Sequence, residues 1–306
     1  MKKNILIAVA AVLLCSCGDT EGRLKDRAAE LCKYIPDHEL REGSQDYMTD
    51  DFHAVLDTMF NLPSHEAMDH EWLYFFVTGN GGTIADYEVV EVRKTDRNHA
   101  VATIKVRQKW EDGSFDEESD IEMHELEMEK VDGVWLMSDF DGHKADCIRH
   151  IAQNRREEAV RDAVKEYLVD RIGPLYRRGM VCIPTLMMVH ESGDSVWGDF
   201  WIYWYDVCGD TLKTVSGGSH AGLITLRSDD GKIKVDTFDE VADGSGFQSS
   251  AQRIFGDYYE LFMSMHSNGE VREAVRREQL QQDVERFGLK VRYYQDYGWP
   301  AVDLCK

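Results

Sequence analysis

The sequence contains only five prolines and has no long apolar run beyond its N-terminal segment. With 43% apolar and 10% aromatic residues, this scarcity of proline excludes a disordered, charged coil and predicts a folded chain with a sizeable core. No stretch after Cys17 is long and apolar enough to predict a membrane-spanning helix.

Basic residues are also scarce, at 35 against 57 acidic residues, which gives a net charge of −22. Loss of the two positive charges of Lys2 and Lys3 would lower the charge from −22 to −24. Such a surface repels nucleic acid and anionic lipid headgroups, so neither is an expected partner of the protein surface.

The seven cysteines include no CxxC pair and show no Cys/His spacing typical of a metal site. Besides Cys15 and Cys17, the chain has Cys32, Cys147, Cys182, Cys208 and Cys305. An odd number leaves at least one thiol free. Disulfide formation in an oxidising compartment stays open, because pairing cannot be read from sequence.

The N-terminus has the order of a cleavable signal peptide. Lys2 and Lys3 precede the apolar run 5–14, which is too short to span a bilayer as a permanent transmembrane helix. The following residues, Leu14-Cys15-Ser16-Cys17-Gly18, resemble the lipobox of bacterial lipoproteins, with an aliphatic residue three positions before a cysteine. The alternatives are an ordinary secreted protein that is cleaved nearby, or a cysteine that is simply buried.

The lipoprotein resemblance implies that residues 1–16 are removed and that Cys17 becomes an acylated, palmitate-type N-terminus. Each buried methylene contributes about 0.8 kcal/mol, so several acyl chains together anchor a protein stably in a bilayer. Residues 17–23 would form a polar tether. The expected location is the cell envelope, at the outer membrane, facing either the periplasm or the cell surface. Asp19 and Glu21 resemble the export signals of some surface lipoproteins.

Hydrophobic periodicity predicts helices and then an antiparallel meander in the first half. Asp132-Gly133 and Asp112-Gly113 lie between alternating runs, as is typical of hairpins. The predicted helices are 24–35, 47–60 and 64–76, and the predicted strands are 85–94, 99–110, 121–131 and 134–140.

The second half begins in the same way, with Asp230-Gly231 between its last two strands. The predicted elements are a helix at 156–172, strands at 181–190, 196–207, 211–227 and 233–238, helices at 247–267 and 270–287, and an aromatic tail at 293–300. Residues 153–157 form the predicted boundary, which gives domains 24–152 and 153–306.

We therefore predict an α+β protein with two tandem domains, each a helix followed by a curved antiparallel sheet. By element order, residues 24–150 resemble a nuclear-transport-factor-2-like domain of the cystatin-like folds. Residues 156–304 resemble the C-terminal part of uncharacterised bacterial lipoproteins. That resemblance rests on four segments: Val196-Trp197-Gly198-Asp199-Phe200, Ser216-Gly217-Gly218-Ser219-His220, Ile254-Phe255-Gly256 and Tyr294-Gln295-Asp296-Tyr297-Gly298-Trp299-Pro300. Cystatin-like folds host isomerases, dehydratases and binding modules, so the fold does not decide between them.

Three short patterns superficially resemble catalytic or metal sites. His65 and His70 are five residues apart, about 140° around a helix, and do not match the four-residue spacing of zinc-binding histidines. Ser219-His220 resembles a nucleophile elbow, but such an elbow opens a helix, whereas the residues that follow here are predicted to form a strand. Adjacent residues in a strand also point to opposite faces, which would separate the two side chains. The preceding Gly217 and Gly218 are typical of a bulge or a close backbone approach.

The third pattern is an acidic cluster at a strand end, whose hard oxygen ligands suit calcium but whose spacing fits no EF-hand loop. It comprises Asp236, Asp239, Glu240 and Asp243. We predict no catalytic residue, metal or cofactor from these three patterns.

The strand 196–207 carries the strongest candidate for binding. Alternation places Trp197, Trp201, Tyr203 and Tyr205 on one face and Phe200 on the other. The first face either packs on helices or forms a stacking platform for a small molecule, glycan or protein ligand. His220 is the further candidate for lining a pocket.

We therefore expect a membrane-anchored, non-catalytic envelope protein that binds a ligand or partner through the aromatic strand. The first alternative is a small-molecule enzyme with a cone-shaped pocket, in which His220 is paired with Asp206 or Asp239. The second alternative is a structural envelope protein.

Overall fold

The computed structural model describes residues 20–36, 40–62, 82–110 and 121–305. The signal peptide, Cys17, the predicted helix 64–76 with His65 and His70, and the Asp112-Gly113 turn lie outside these residues. The chain divides into two compact units, 1–153 and 154–306, next to the predicted boundary. Helices accompany one four-stranded and one seven-stranded sheet, so the prediction of an α+β protein is confirmed.

Among the described residues of the first unit, two helices precede an antiparallel sheet with the strand order β1-β2-β3-β4. Helices α1 (Glu21–Leu31) and α2 (Asp50–Phe60) are followed by β1 (Gly82–Lys94), β2 (His99–Trp110), β3 (Ile121–Val131) and β4 (Val134–Phe140). Asp132 and Gly133 adopt positive φ between β3 and β4, which is the backbone that an Asp-Gly hairpin requires.

The core of the first unit follows from two periodicities. In α1, Leu24, Ala28 and Leu31 share one helical face and are buried. In β2, Ala102, Ile104 and Val106 are buried while the residues that alternate with them are half-exposed, as expected for one covered sheet face. Helices and sheet therefore enclose one apolar cluster.

Helix α3 (His143–Tyr167) begins well before the predicted start at residue 156. The prediction was wrong here because the first half of α3 is mostly polar. Among the apolar residues of this part, Cys147 and Ile151 are buried and form only a narrow stripe, one helical turn apart. A π-helical turn (Leu168–Ile172) and a 3₁₀ turn (Gly173–Leu175) then end the helix, close to the predicted end.

The second unit is built on a seven-stranded sheet with the order β11-β10-β8-β7-β5, in which β6 also pairs with β7 and β9 pairs with β8. The strands are β5 (Val181–Cys182), β6 (Thr185–Ser192), β7 (Ser195–Cys208), β8 (Thr211–Asp229), β9 (Lys232–Glu240), β10 (Tyr293–Gln295) and β11 (Val302–Asp303). The predicted strand 181–190 is divided at Pro184, which lacks the N–H that a continuous ladder needs.

Both faces of this sheet are covered. On one face, Val164 and Leu168 pack against Phe200, Ile202 and neighbouring apolar residues. The other face carries three helices: α4 (Phe247–Phe255), α5 (Tyr259–His266) and α6 (Gly269–Arg286). The predicted helix 247–267 is broken at Gly256, whose positive φ interrupts the helical backbone.

Candidate functional site

The aromatic strand β7 alternates as predicted, and helices cover its aromatic face. Tyr203 is 7% exposed and Tyr205 is fully buried, both packed with Leu280 of α6. Trp201 is half-buried beside them, and the half-buried Trp197 donates a 2.9 Å hydrogen bond to the carbonyl of Ile254. Tyr203 and Tyr205 therefore pack in the core, and the strand does not present four open rings to a ligand.

Arg276 of α6 points into this aromatic face. Only 1% of the residue is exposed. Its guanidinium carbon lies 3.9 Å from the ring centroid of Tyr203 and 4.7 Å from that of Tyr294 on β10. Its Nε donates a 3.1 Å hydrogen bond to the Tyr205 hydroxyl. Cation–π contacts of a desolvated Arg are among the stronger ones, so the tyrosines form a cradle for the guanidinium.

Asp296, just after β10, neutralises this buried cation. Its two carboxylate oxygens each accept a 2.8 Å hydrogen bond from Arg276, and Thr214 donates a third at 2.5 Å. Burial alone would raise the pKa of Asp296, but hydrogen bonds and charge from Arg276 outweigh it and lower the pKa below its usual range. Burial likewise raises the pKa of Tyr203 to about 12, which keeps the phenol neutral.

A groove of about 1350 Å³ lies on the outer side of this ion pair. One wall is formed by the end of α5, the turn that follows it and the start of α6, with Ser264, Asn268 and Arg272. Tyr294 and Asp296 line it as well. The other wall is the C-terminal segment: Trp299, Pro300, Ala301 and Val302. Because Arg276 binds Asp296, the ion pair fixes the C-terminal wall to α6.

The groove presents both hydrogen-bond donors and acceptors. Glu273 accepts a 2.8 Å hydrogen bond from the Tyr294 hydroxyl, and Arg272 lies 3.8 Å from Glu273. Arg272 also lies over the Trp201 ring, 4.8 Å from its centroid. Trp299 is 71% exposed, so its large ring does not serve to fill the core. An exposed aromatic beside ordered charged groups is suited to ligand contact.

His220 lies on the opposite face of the sheet, in a chain of three polar groups. The Tyr176 hydroxyl is 2.8 Å from its Nε2, and Glu240 is 2.5 Å from its Nδ1. The predicted partners were wrong: Asp206 accepts from the Met180 amide, and Asp239 pairs with Arg253. Burial, with the charges of Glu240 and Asp243, raises the pKa of Tyr176.

Gly218, two residues before His220, lies where there is no room for a side chain. A Cβ at Gly218 would lie 2.1 Å from the Tyr176 hydroxyl, far inside van der Waals contact. Of the two predicted alternatives, a bulge or a close approach, both glycines show the close approach: Tyr176 lies against Gly218, and a Cβ at Gly217 would lie 2.5 Å from the carbonyl oxygen of Ile202.

Ser219 and His220 point to opposite faces, as predicted. Ser219 donates a 2.5 Å hydrogen bond to the buried Asp199, and His266 lies 2.8 Å from the other carboxylate oxygen. The carboxylate therefore lies between the serine and the histidine. The Ser219 hydroxyl therefore contacts a carboxylate rather than an imidazole, which is not the serine–histidine pair of a nucleophile elbow.

The members of the acidic cluster at the end of β9 have separate partners. Asp239 accepts two hydrogen bonds from Arg253, and Glu240 faces His220. Within residues 20–36, 40–62, 82–110 and 121–305, no group of three or more His, Cys, Asp or Glu side chains is placed to hold a metal ion.

Sequence reasoning missed Arg276, Asp296 and the groove. A signal for Arg276 exists: it lies four residues before Leu280 and eight before Val284, on the buried stripe of α6. An arginine in a stripe position requires a buried partner, but nothing in the sequence selects Asp296 from 57 acidic residues.

Comparison with known proteins yields no relative. No protein-family model matches the chain, and no curated protein or solved structure is significantly similar to it.

Proposed function

We propose that this chain is a cell-envelope lipoprotein, held to the bilayer through acylated Cys17, that binds a ligand in the groove beside α6. The observation that carries the binding proposal is the groove itself. The Arg276–Asp296 pair braces one of its walls, and the exposed ring of Trp299 lines it. Because such a site is already ordered, ligand binding does not have to offset the conformational entropy that is lost when a flexible site becomes ordered.

The anchor proposal rests on the order of residues at the N-terminus. Positive charge, a ten-residue apolar run and a cysteine follow one another as a lipoprotein signal requires. Among the residues that the structure describes, no helix is long and apolar enough to cross a membrane.

We also propose that the units are cystatin-like, and the first in particular nuclear-transport-factor-2-like. In the first unit, α1 and α2 precede a four-stranded antiparallel meander, which is the order on which the resemblance rests. In the second unit, most of α3 precedes the larger sheet, and its residues pack on one sheet face. Fold alone does not assign an activity.

A thermal-shift screen of the purified full-length protein in detergent tests the binding proposal. The library comprises small molecules, soluble oligosaccharides and peptides. We expect a ligand that raises the melting temperature of the wild type and of Tyr297→Ala but not of Trp299→Ala. Tyr297 is 97% exposed in the same segment and does not line the groove, so it is a matched control. Equal shifts of both variants, or no shift with any ligand, would overturn the proposal.

The Tyr176–His220–Glu240 chain supports a second candidate function, a small-molecule enzyme. A histidine held by a carboxylate and hydrogen-bonded to a tyrosine is an arrangement that moves protons in general acid–base catalysis. If this candidate holds, His220→Gln and Tyr176→Phe abolish turnover of a substrate whose binding Trp299→Ala does not change. Full turnover by both variants would exclude it.

A further inference from the structure

The size and form of the groove indicate an extended ligand. Its volume of about 1350 Å³ exceeds the roughly 300–1,000 Å³ of pockets that enclose one small molecule. Its lining runs from the turn between α5 and α6 to residues 299–302. A chain of several linked units fits such a site better than a single compact molecule.

The charges of the groove disfavour a strongly anionic ligand. Arg272 and Arg276 face three carboxylates, Glu270, Glu273 and Asp296, which leaves one excess negative charge. Arg276 is bound by Asp296 and buried, so its positive charge is not available to a phosphate or carboxylate ligand. A ligand with little net charge is expected.

The polar groups of the groove suit hydroxyl groups. Glu270 and Glu273 offer acceptors, Arg272 offers donors, and Ser264 and Ser267 offer both. A hydroxyl donates and accepts at the same time, so a polyhydroxylated ligand can use all of these groups. Trp299 adds an exposed aromatic face, against which the C–H face of a sugar ring packs.

A peptide that binds by strand addition fits less well. In that mode, an extended peptide adds a strand to an exposed sheet edge. The sheet edge at this groove is β11, which has only two residues and offers too few backbone partners.

We infer that the groove binds an oligosaccharide of low net charge, with one sugar ring stacked on Trp299 and neighbouring hydroxyls bound by Arg272, Glu270 and Glu273. This inference rests on the proposed function, because it names the ligand class of the same groove.

Binding of the full-length protein to two sets of probes tests this inference. The first set is a panel of neutral gluco-, manno-, xylo-, galacto- and N-acetylglucosamine oligosaccharides, and the second is a pool of soluble peptides. Any sugar that binds is then titrated by calorimetry. We expect at least one oligosaccharide to bind, more tightly than its monosaccharide. Trp299→Ala should weaken binding about tenfold or more, as truncation of a central aromatic contact does.

Two variants make the outcome specific. Trp299→Phe keeps an aromatic face and should retain part of the affinity, whereas Tyr297→Ala should bind like the wild type. The inference is overturned if no oligosaccharide binds, or if Trp299→Ala binds equally well. If peptides bind in a Trp299-dependent manner while sugars do not, the ligand class is wrong and the groove remains a binding site. If neither set binds, the proposed binding function fails as well.

Discussion

Arg276 and Asp296 are joined by two parallel hydrogen bonds of 2.8 Å each. Arg276 belongs to α6 and Asp296 follows β10, so this pair fastens the C-terminal segment to the helix. A planar guanidinium bound by both carboxylate oxygens fixes orientation as well as distance. The position of Trp299, three residues later, depends on this pair.

Asp296→Ala should destabilise the second unit by about 2–3 kcal/mol. Removal of one partner of a fully buried pair costs roughly 3–5 kcal/mol, and the 37% exposure of the Asp296 side chain reduces that cost. The variant leaves the Arg276 charge buried without its main acceptor. Hydrogen exchange of the α6 amides, followed by mass spectrometry, measures the loss.

Asp162→Ala is the matched control. It removes the carboxylate from a second two-bond arginine pair, in which Arg286 of α6 binds Asp162 of α3, and both of these side chains are at least half exposed. An exposed pair contributes about 0–1 kcal/mol, so little change is expected. Equal losses in the two variants would show that Arg276 is not held as described.

Stability should fall in acid through Asp296. Its pKa is lowered in the folded state from an ordinary value of 3.8, so the unfolded chain takes up a proton first. The contribution of the ionised Asp296 to the free energy of unfolding is therefore fully present above about pH 4, and it is lost as the pH falls through the folded-state pKa. Denaturation of wild type and Asp296→Asn between pH 7 and pH 2.5 measures it. The difference between the two proteins should shrink below about pH 4, and a constant difference would contradict this assignment.

Local patterns predicted most of the fold, because strand alternation and Asp-Gly turns are encoded in neighbouring residues. Strands β2, β3 and β4 begin and end at the predicted residues. The candidate site was not predictable in the same way. Its central pair, Arg276 and Asp296, joins α6 to the segment that follows β10. β10 itself pairs in parallel with β8, although α4, α5 and α6 lie between these two strands in the sequence. Hydrophobic periodicity carries no information on such long-range partners.

Gly218→Ala should lower the free energy of unfolding by about 1–3 kcal/mol, because the new methyl group would overlap the Tyr176 hydroxyl and break its hydrogen bond with His220. Chemical denaturation, followed by hydrogen exchange of β8, measures the change. In a Tyr176→Phe background the cost should be smaller, because the overlapping oxygen is gone. Gly269→Ala meets only the end of the Arg272 side chain at 3.5 Å, so it should stay within about 0.5 kcal/mol of wild type. Equal costs at positions 218 and 269 would refute the contact.

The five cysteines beyond Cys17 should divide into two classes of reactivity. Cys208 and Cys305 are exposed, whereas burial raises the pKa of Cys32, Cys147 and Cys182 to about 12. The thiolate is the nucleophile, so only the exposed pair should react with iodoacetamide at neutral pH in the folded protein. Peptide mass spectrometry after brief alkylation identifies the labelled sites. Rapid labelling of a buried cysteine, or a disulfide between any two, would contradict these assignments.

Lipid attachment at Cys17 is tested most directly by mass spectrometry of the mature N-terminal peptide from bacterial membranes, with Cys17→Ala expressed in parallel. We predict cleavage between Ser16 and Cys17, acyl chains on Cys17, and membrane retention of the wild type. The Cys17→Ala protein should be soluble or uncleaved. A mature protein without acyl chains on Cys17, or a Cys17→Ala variant that is cleaved and still held at the membrane, would contradict the lipoprotein assignment.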